Sequence, residues 1–229
     1  MVSDPLADLA RLEGVPSAVA AALDGVDAVL RDRGLRVLSP DAVAGSLLLG
    51  ARASASLTGD GDRWLAGAVR LSAELTELAA TLRVAPAQAL ARAHVLVARG
   101  EVPEAELGRV RSDPASTARL AGVTALLTGT SPASAVVLGA VVHAELAVVA
   151  PFGSVDDVLA RAAEHMVLVA GGVDPRAAIP VEAGHARAPG AYRMALDGYA
   201  TGTLVGVRDW VLHCTSALAA GAELSRLRS

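Results

Sequence analysis

The sequence predicts an all-α fold, and three observations carry this prediction. The chain has 229 residues, of which 53% are hydrophobic but only 2% aromatic, so its core must be built from Ala, Val and Leu. Such small aliphatic side chains suit closely packed helices. Apolar residues recur at the spacing of helical faces, and proline and glycine stand where helices are expected to begin and end. A chain of this length can bury a full core in one compact unit.

In the first half of the chain, proline marks helix starts and glycine marks helix ends. Pro16 is expected to open a helix that Gly34 stops, and Ser39 and Pro40 are expected to cap and open the next. The stretch ASASLTGDGD, residues 53–62, is small, polar and punctuated by glycine, which predicts a loop. The helices expected here are residues 5–13, 16–33, 40–52, 62–82 and 86–99.

The second half is expected to hold four helices around a central break. Residues 101–113 are charged and interrupted by Pro103 and Gly108, which predicts a loop. Pro180 and Pro189 indicate an irregular connection before the last helix. The helices expected here are residues 116–127, 131–149, 155–170 and 203–224.

The charge and the cysteine content limit which classes of partner and which cellular compartment are expected. All twenty basic residues are Arg, and a formal net charge of −4 gives no basic field for a nucleic-acid backbone, so no nucleic acid is expected. The charge-free run 120–142 is broken by Thr-Gly-Thr-Ser-Pro, so it predicts buried helices and no membrane span. The acidic N-terminal segment does not resemble a signal peptide. Since the single Cys214 cannot form an internal disulfide, we expect a buried, inert thiol and a cytoplasmic protein.

The centre of the chain runs from His143 to Gly172 and reads HAELAVVAPFGSVDDVLARAAEHMVLVAGG. An apolar helix is followed by a break at residues 151–153 and by a second helix that Ser154 is expected to cap. This arrangement resembles the central motif of the Fic (Fido) family. In that family a loop of the form His-Pro-Phe-x-Asp/Glu-Gly-Asn-Gly-Arg-x-x-Arg leads into a helix and transfers AMP or a related phosphoryl group.

The resemblance extends over about residues 45–222 and implies a fold. That fold is a Fic-like multi-helix bundle with the motif loop between two central helices. The implied organisation is N-terminal helices over residues 1–44 and a Fic-like helical domain over residues 45–229, together forming one compact unit.

Most residues that perform the chemistry in the family are replaced here. Ala150 stands at the position of the motif histidine, the general base, and its methyl group accepts no proton. Ser154 replaces the acidic residue that holds Mg²⁺ on the phosphates, and a hydroxyl is a poorer ligand for that cation. The family's Gly-Asn-Gly-Arg, which includes the glycine-rich phosphate cradle, is replaced by Val155, Asp156, Asp157 and Val158.

Pro151, Phe152 and Arg161 are retained. In the family the proline and phenylalanine anchor the loop, while the last arginine meets either the γ-phosphate or an inhibitory glutamate. A plainer interpretation of Arg161 is a surface ion pair with Asp157 four residues earlier, a contact that contributes about 0.2–0.5 kcal/mol.

Segments outside the motif also resemble the family. Residues 54–59 resemble the inhibitory Ser-Ser-x-Ile-Glu-Gly segment, with threonine in place of the glutamate that pairs with the last motif arginine. Residues 101–113 stand where Fic proteins place a substrate-positioning flap, and residues 191–199 resemble a Tyr-x-x-Ala-Leu segment. The positions of the inhibitory-like segment are Ser54, Ser56, Thr58 and Gly59.

The remaining polar residues receive structural interpretations. His94 and His143 are expected to pack without binding a ligand, and His165 is an alternative base only if it reaches the loop. Acidic residues at and after the start of the motif helix are interpreted as solvated and favourable to the helix dipole, so no metal site is predicted. These residues are Asp156, Asp157 and Glu164.

The sequence therefore predicts a catalytically degenerate Fic-fold protein that acts as a binding or regulatory module. It is expected to need no cofactor and to bind a protein partner. That partner includes the case of a second copy of the chain, which would give a homodimer. The alternative is a divergent nucleotidyl or phosphoryl transferase that uses ATP and Mg²⁺, with Arg161 and an unusual base such as Asp156. No Gly-x-Gly-x-x-Gly fingerprint supports an oxidoreductase.

Overall fold

The computed structural model describes residues 4–31 and 40–225. Within these ranges the chain forms α-helices and no strand, with one isolated bridge between Arg99 and Val102 and a 3-10 turn over Glu104–Glu106, so the predicted all-α class is confirmed. The helices are α1 Pro5–Leu9, α2 Val15–Arg31, α3 Pro40–Ser56, α4 Gly61–Ala73, α5 Leu75–Leu82, α6 Pro86–Ala98, α7 Pro114–Thr128, α8 Ala135–Val149, α9 Asp156–Ala170, α10 Val181–Ala186, α11 Pro189–Ala200 and α12 Leu204–Leu224.

Local signals set several of these helix starts. Proline occupies the first position of α6 and α11, where its missing N–H costs no intrahelical hydrogen bond. The side chain of Asp113 caps α7 by accepting from the Ser116 amide at 2.9 Å, and Thr203 caps α12 by accepting from the Gly206 amide at 3.1 Å. The predicted cap at Ser39 and stop at Gly34 lie outside the described residues.

Three predicted boundaries are wrong. Helix α3 continues to Ser56, so Ser54 and Ser56 lie in its last turn rather than in a loop. The expected helix over residues 62–82 is divided at Glu74, whose φ of −103° and ψ of 7° end α4 before α5 begins. The connection after Pro180 is not irregular throughout, because it contains the helices α10 and α11.

Helices α8 and α9 form the centre of the molecule. Helix α8 is apolar on nearly all sides, which is the pattern of a helix surrounded by others. Helices α4, α5 and α6 share one hydrophobic cluster with α8 and α9. On the other side, α2, α10, α11 and α12 enclose the rest of α8 and α9. As a result, nearly every residue of α9 is buried.

One glycine contact fixes the position of α10. A Cβ atom on Gly184 would lie 1.8 Å from the carbonyl oxygen of Ala217 in α12, so only glycine permits this approach of the two helices. The contact brings the next residue, His185, into the interior, where it is fully buried.

The charge-free run 120–142 is divided between α7 and α8. Among the described residues, no helix combines the length and the apolar character needed to cross a membrane.

Candidate functional site

The backbone of the loop between α8 and α9 has positive φ angles at three residues, and only one of them is glycine. Ala150 ends α8 with φ 47° and ψ 61°, Gly153 has φ 76°, and Val155 precedes α9 with φ 53° and ψ 19°. A positive φ is strained for a β-branched residue such as valine and persists only where the surroundings impose it. The sharp turn of the loop is therefore kept although glycine is absent from the position of Val155.

The carboxylate of Asp156 fills the inside of this loop. Its Oδ1 accepts the backbone N–H of Phe152 at 2.9 Å, and the amides of Gly153 and Ser154 also act on it. Burial raises the pKa of Asp156 to about 6, although the loop amides oppose the shift. The interpretation of Asp156 as a solvated residue is wrong, because its side chain turns back under the loop and only 5% of the residue is exposed.

His94 fixes the outer part of the loop. The Gly108 amide donates to His94 Nδ1 at 3.0 Å, so Nε2 carries the proton and donates to Ser154 Oγ at 3.0 Å. The imidazole stacks on the ring of Phe152 with centroids 4.7 Å apart, and burial lowers the pKa of His94. The predicted cap at Ser154 is wrong, since Val155 occupies the cap position and no side chain caps α9 there.

The charged segment 101–113 contacts the same loop. The Arg111 amide donates to the carbonyl oxygen of Pro151 at 2.8 Å, and the Arg111 side chain lies against Gly153. The segment contains turns and the 3-10 turn described above, rather than a hairpin of strands.

Arg161 is buried, with 1% of the residue exposed, and all three guanidinium nitrogens donate hydrogen bonds within the chain. Nε donates to Ser54 Oγ at 2.9 Å, and Nη1 donates to the Tyr192 hydroxyl at 3.1 Å. Nη2 donates to three acceptors, which are the Ser54 carbonyl oxygen at 2.9 Å, Thr58 Oγ1 at 3.2 Å and Asp157 Oδ2 at 3.2 Å. The ion pair with Asp157 exists, but its interpretation as a surface contact is wrong because the arginine is enclosed.

The structure thus brings Arg161 together with part of the upstream segment. Ser54 lies in the last turn of α3 and Thr58 lies two residues beyond its end, and both accept from the guanidinium group. Ser56 points away and donates to the Ala53 carbonyl oxygen at 2.8 Å, while Gly59 lies in the turn that follows.

Tyr192 connects Arg161 to a second group of polar side chains. The Tyr192 hydroxyl lies 3.0 Å from His143 Nε2, and His143 Nδ1 lies 2.6 Å from Glu164 Oε2. His185 Nε2 lies 2.8 Å from the same carboxylate oxygen, and the Cys214 thiol also acts on Glu164. We call His143, Glu164, His185 and Cys214 the four-helix cluster, because α8, α9, α10 and α12 supply one residue each.

Burial and hydrogen bonding shift the pKa values of three residues in the four-helix cluster. Burial alone raises the pKa of Glu164, but His185 and His143 hold it well below its usual range. Burial lowers the pKa of His143 to about 4 and raises the pKa of the Cys214 thiol. Glu164 is therefore an ionised carboxylate at neutral pH, and both imidazole rings lie within hydrogen-bond distance of its Oε2.

His165 lies on α9 beside two other carboxylates. Its Nδ1 is 3.0 Å from Glu182 Oε1, and its Nε2 is 3.6 Å from Asp174 Oδ2. Burial lowers the pKa of His165, but these carboxylates outweigh it and raise the pKa to about 10. His165 is 2% exposed, and its carboxylate partners lie in the segment after α9 and in α10 rather than in the loop 150–156.

Sequence reasoning missed Tyr192, His185 and Glu182 as partners of the motif helix. Tyr192 begins the segment that resembles the family's Tyr-x-x-Ala-Leu, which is the one signal in the sequence for its importance. His185 and Glu182 lie in the connection that was expected to be irregular, and their contacts depend on the close approach at Gly184.

Two cavities lie at the surface of the described residues. One of about 370 Å³ is bounded by Leu82, Leu138 and Val167 among others, and one of about 380 Å³ lies between α11 and α12. Neither is lined by residues of the loop 150–156 or by Arg161.

Comparison with known proteins identifies the fold. A solved structure described as a Fic family protein from Desulfovibrio desulfuricans G20 matches with a TM-score of 0.67 over 98% of this chain and 74% of that chain. The sequences are 17% identical, so the likeness establishes a Fic-like all-α fold and extends no further. No family model matches the sequence, and the search of curated proteins finds no match.

Proposed function

We propose that this chain is a Fic-fold protein that does not transfer AMP and instead serves as a binding or regulatory module for a protein partner. The proposal rests on one observation. Residues of the chain itself occupy the loop amides and the Arg161 guanidinium, the groups that would bind phosphate. The loop amides already bind the Asp156 carboxylate, and Arg161 is already bound by Ser54, Thr58, Tyr192 and Asp157.

The first group that the site lacks is a general base. A protein hydroxyl that attacks a phosphate must lose its proton, and Ala150 offers only a methyl group where the Fic motif has histidine. Removing a positioned base costs about 10²–10⁴ in rate. His94 does not replace it, since both of its ring nitrogens are engaged within the chain.

The residues of the loop are poorly suited to bind Mg²⁺ and a nucleoside triphosphate. The Ser154 hydroxyl binds His94, and it is a weaker ligand for Mg²⁺ than the carboxylate it replaces. An incoming phosphate would have to displace the Asp156 carboxylate from the loop amides, and two like charges about 4 Å apart repel by about 1–4 kcal/mol at dielectric constants of 80 to 20. Burial of Arg161 further removes the positive charge that a γ-phosphate would meet.

Calorimetric titration with ATP, ADP and GTP in the presence of Mg²⁺ tests the proposal. We expect no binding in the micromolar range, and a micromolar dissociation constant for any of the three would overturn the claim that the loop has lost nucleotides. The Ala150→His variant is the matched test of the chemistry. It restores the base but leaves Asp156 and Arg161 in place, so we expect it to transfer no label from labelled ATP to lysate proteins.

The second candidate function is a divergent nucleotidyl or phosphoryl transferase that uses Arg161 and Asp156. The raised pKa of Asp156, about 6, favours it, because a general base is most effective with a pKa near the working pH. Its buried position under the loop argues against it. Label transfer from ATP by the parent chain, lost in both Asp156→Asn and Arg161→Ala, would establish this function; no transfer by the parent chain rejects it.

The partner in the principal proposal is a protein, and a second copy of the chain is the first one to test. Light scattering over a range of concentrations distinguishes a homodimer from a monomer that awaits another partner. A single reduced thiol, Cys214, fits our proposal that the protein works in the cytoplasm.

A further inference from the structure

The four-helix cluster has the composition and convergence of a metal site. One ligand atom from each of four helices lies within 4.8 Å of the other three; the residues are His143 on α8, Glu164 on α9, His185 on α10 and Cys214 on α12. The four residues are between 0% and 1% exposed. Imidazole nitrogen, thiolate sulfur and carboxylate oxygen are the ligand types that Zn²⁺ accepts in tetrahedral sites.

We propose that His143 Nδ1, Glu164, His185 Nε2 and Cys214 Sγ bind one zinc ion that ties α8, α9, α10 and α12 together. Four protein ligands and a closed interior are features of a structural rather than a catalytic zinc site. None of the four ligands belongs to the loop 150–156, so the zinc site is independent of the function proposed above.

The spacing of the ligand atoms requires only a small adjustment. Tetrahedral bonds of about 2.0–2.3 Å place neighbouring ligand atoms about 3.3–3.8 Å apart. The two imidazole nitrogens lie 2.6 Å and 2.8 Å from Glu164 Oε2, so these separations must grow by about 0.5–1.2 Å to reach that spacing, and any separation near the 4.8 Å limit must shrink by about 1 Å.

The charges balance when the ion binds. The Cys214 thiol loses its proton to solvent, and Glu164 is already ionised, so two negative ligands neutralise the two positive charges of Zn²⁺. The histidines bind as neutral rings, with the remaining proton on the nitrogen that faces away from the metal. A buried ion with compensated charge avoids the desolvation cost of an uncompensated one.

Residues around the cluster are suited to orient the two histidines. A metal-bound histidine usually donates its other N–H to a fixed acceptor. His143 Nε2 lies 3.0 Å from the Tyr192 hydroxyl, and His185 Nδ1 lies 3.1 Å from His213 Nε2. Trp210 packs edge-on against His143 and parallel to His185, which restricts the rotation of both rings.

The test exploits the fact that Cys214 is the only cysteine in the chain. Because the ligands are buried, the metal is supplied during expression or during refolding, and the full chain is purified without chelator. Elemental analysis is expected to find about one zinc per chain. Refolding with Co²⁺ is expected to give the visible bands of tetrahedral cobalt and a thiolate-to-cobalt charge-transfer band in the near ultraviolet.

The charge-transfer band can arise only from Cys214, so Cys214→Ser is expected to remove it, whereas His94→Gln, at a buried histidine outside the cluster, is expected to retain it. The zinc content and the cobalt spectrum of the parent chain test the proposal even if Cys214→Ser fails to fold. A folded parent chain that carries no zinc and shows no cobalt bands overturns the proposal and leaves the cluster as a hydrogen-bonded network.

Discussion

The two sides of Arg161 differ in how their buried polar groups are partnered. Toward the loop, the Asp156 carboxylate lies beneath the backbone amides and accepts from that of Phe152. Toward the core, the four-helix cluster is densely connected through Glu164 and Tyr192. The difference indicates that backbone amides satisfy the buried carboxylate on the loop side, whereas the polar side chains on the core side satisfy one another and cannot be removed singly without cost.

The largest expected effect tests the residue that joins the two sides. Arg161→Ala leaves the Tyr192 hydroxyl and the Ser54 hydroxyl and carbonyl short of a buried donor, and we expect a loss of about 3–5 kcal/mol in the free energy of unfolding. Urea denaturation measures it. Arg187→Ala, which removes an exposed ion pair with Glu223, is the control and is expected to cost at most about 1 kcal/mol. Equal losses in the two variants would contradict the view that Arg161 is part of the core.

A second prediction disturbs only the core side. In Gly184→Ala the new Cβ meets the Ala217 carbonyl oxygen, so α10 must move away from α12, and overpacking of this kind costs about 1–3 kcal/mol. The control is Gly25→Ala in α2, where nothing lies within 4 Å of the added Cβ. There alanine is expected to stabilise the helix by up to about 1 kcal/mol. Thermal unfolding of both variants should show opposite signs, and a shift of the same sign would refute the close contact at Gly184.

A third prediction concerns the loop side and pH. The pKa of Asp156 is raised from 3.8 to about 6 in the folded chain, so the folded state holds a proton that the unfolded state releases between these values. The contribution of Asp156 to stability is therefore fully present below pH 3.8 and declines as the pH rises to 6, by at most about 1.4 kcal/mol per pH unit. Asp156→Asn should remove this part of the slope in urea denaturation. An NMR titration that places the Asp156 pKa below 4 would contradict the burial described here.

The smallest expected effect concerns the backbone of the loop. Ala150→Gly should raise the free energy of unfolding by at most about 1 kcal/mol, because glycine adopts the left-handed conformation of Ala150 without strain. Ala118→Gly, at an exposed position within α7, is the control and should lower stability by about 1 kcal/mol. Urea denaturation compares the two, and a loss at both positions would show that the loop imposes no strain on Ala150.

Much of the fold was open to prediction because its signals are local. Pro86 and Thr203 mark the starts of α6 and α12 within one residue, since proline and a capping hydroxyl act on the nearest turn of the chain. The division at Glu74 and the helices α10 and α11 were missed. Helix α10 exists where Gly184 lets it approach α12, a contact between residues 33 positions apart.

The candidate site was predictable in its residue types and not in its contacts. The sequence alone shows alanine at residue 150, the position that the resemblance assigns to the motif histidine. The burial of Asp156 and the enclosure of Arg161 are not visible there, since periodicity places both near the exposed start of a helix while tertiary contacts with Phe152, Ser54 and Tyr192 bury them. Residues scattered over four helices, as in the four-helix cluster, leave no spacing pattern for sequence reasoning to find.

The complete burial of Cys214 has a further use as a kinetic reporter. A reagent that alkylates thiols reaches Cys214 only after α12 separates from the helices around it, because none of the residue is exposed in the folded chain. With no second cysteine to compete, the labelling rate under native conditions measures how often this part of the core opens. Following that rate by mass spectrometry in the presence of candidate partners would reveal which of them tighten the interior, without any engineered probe.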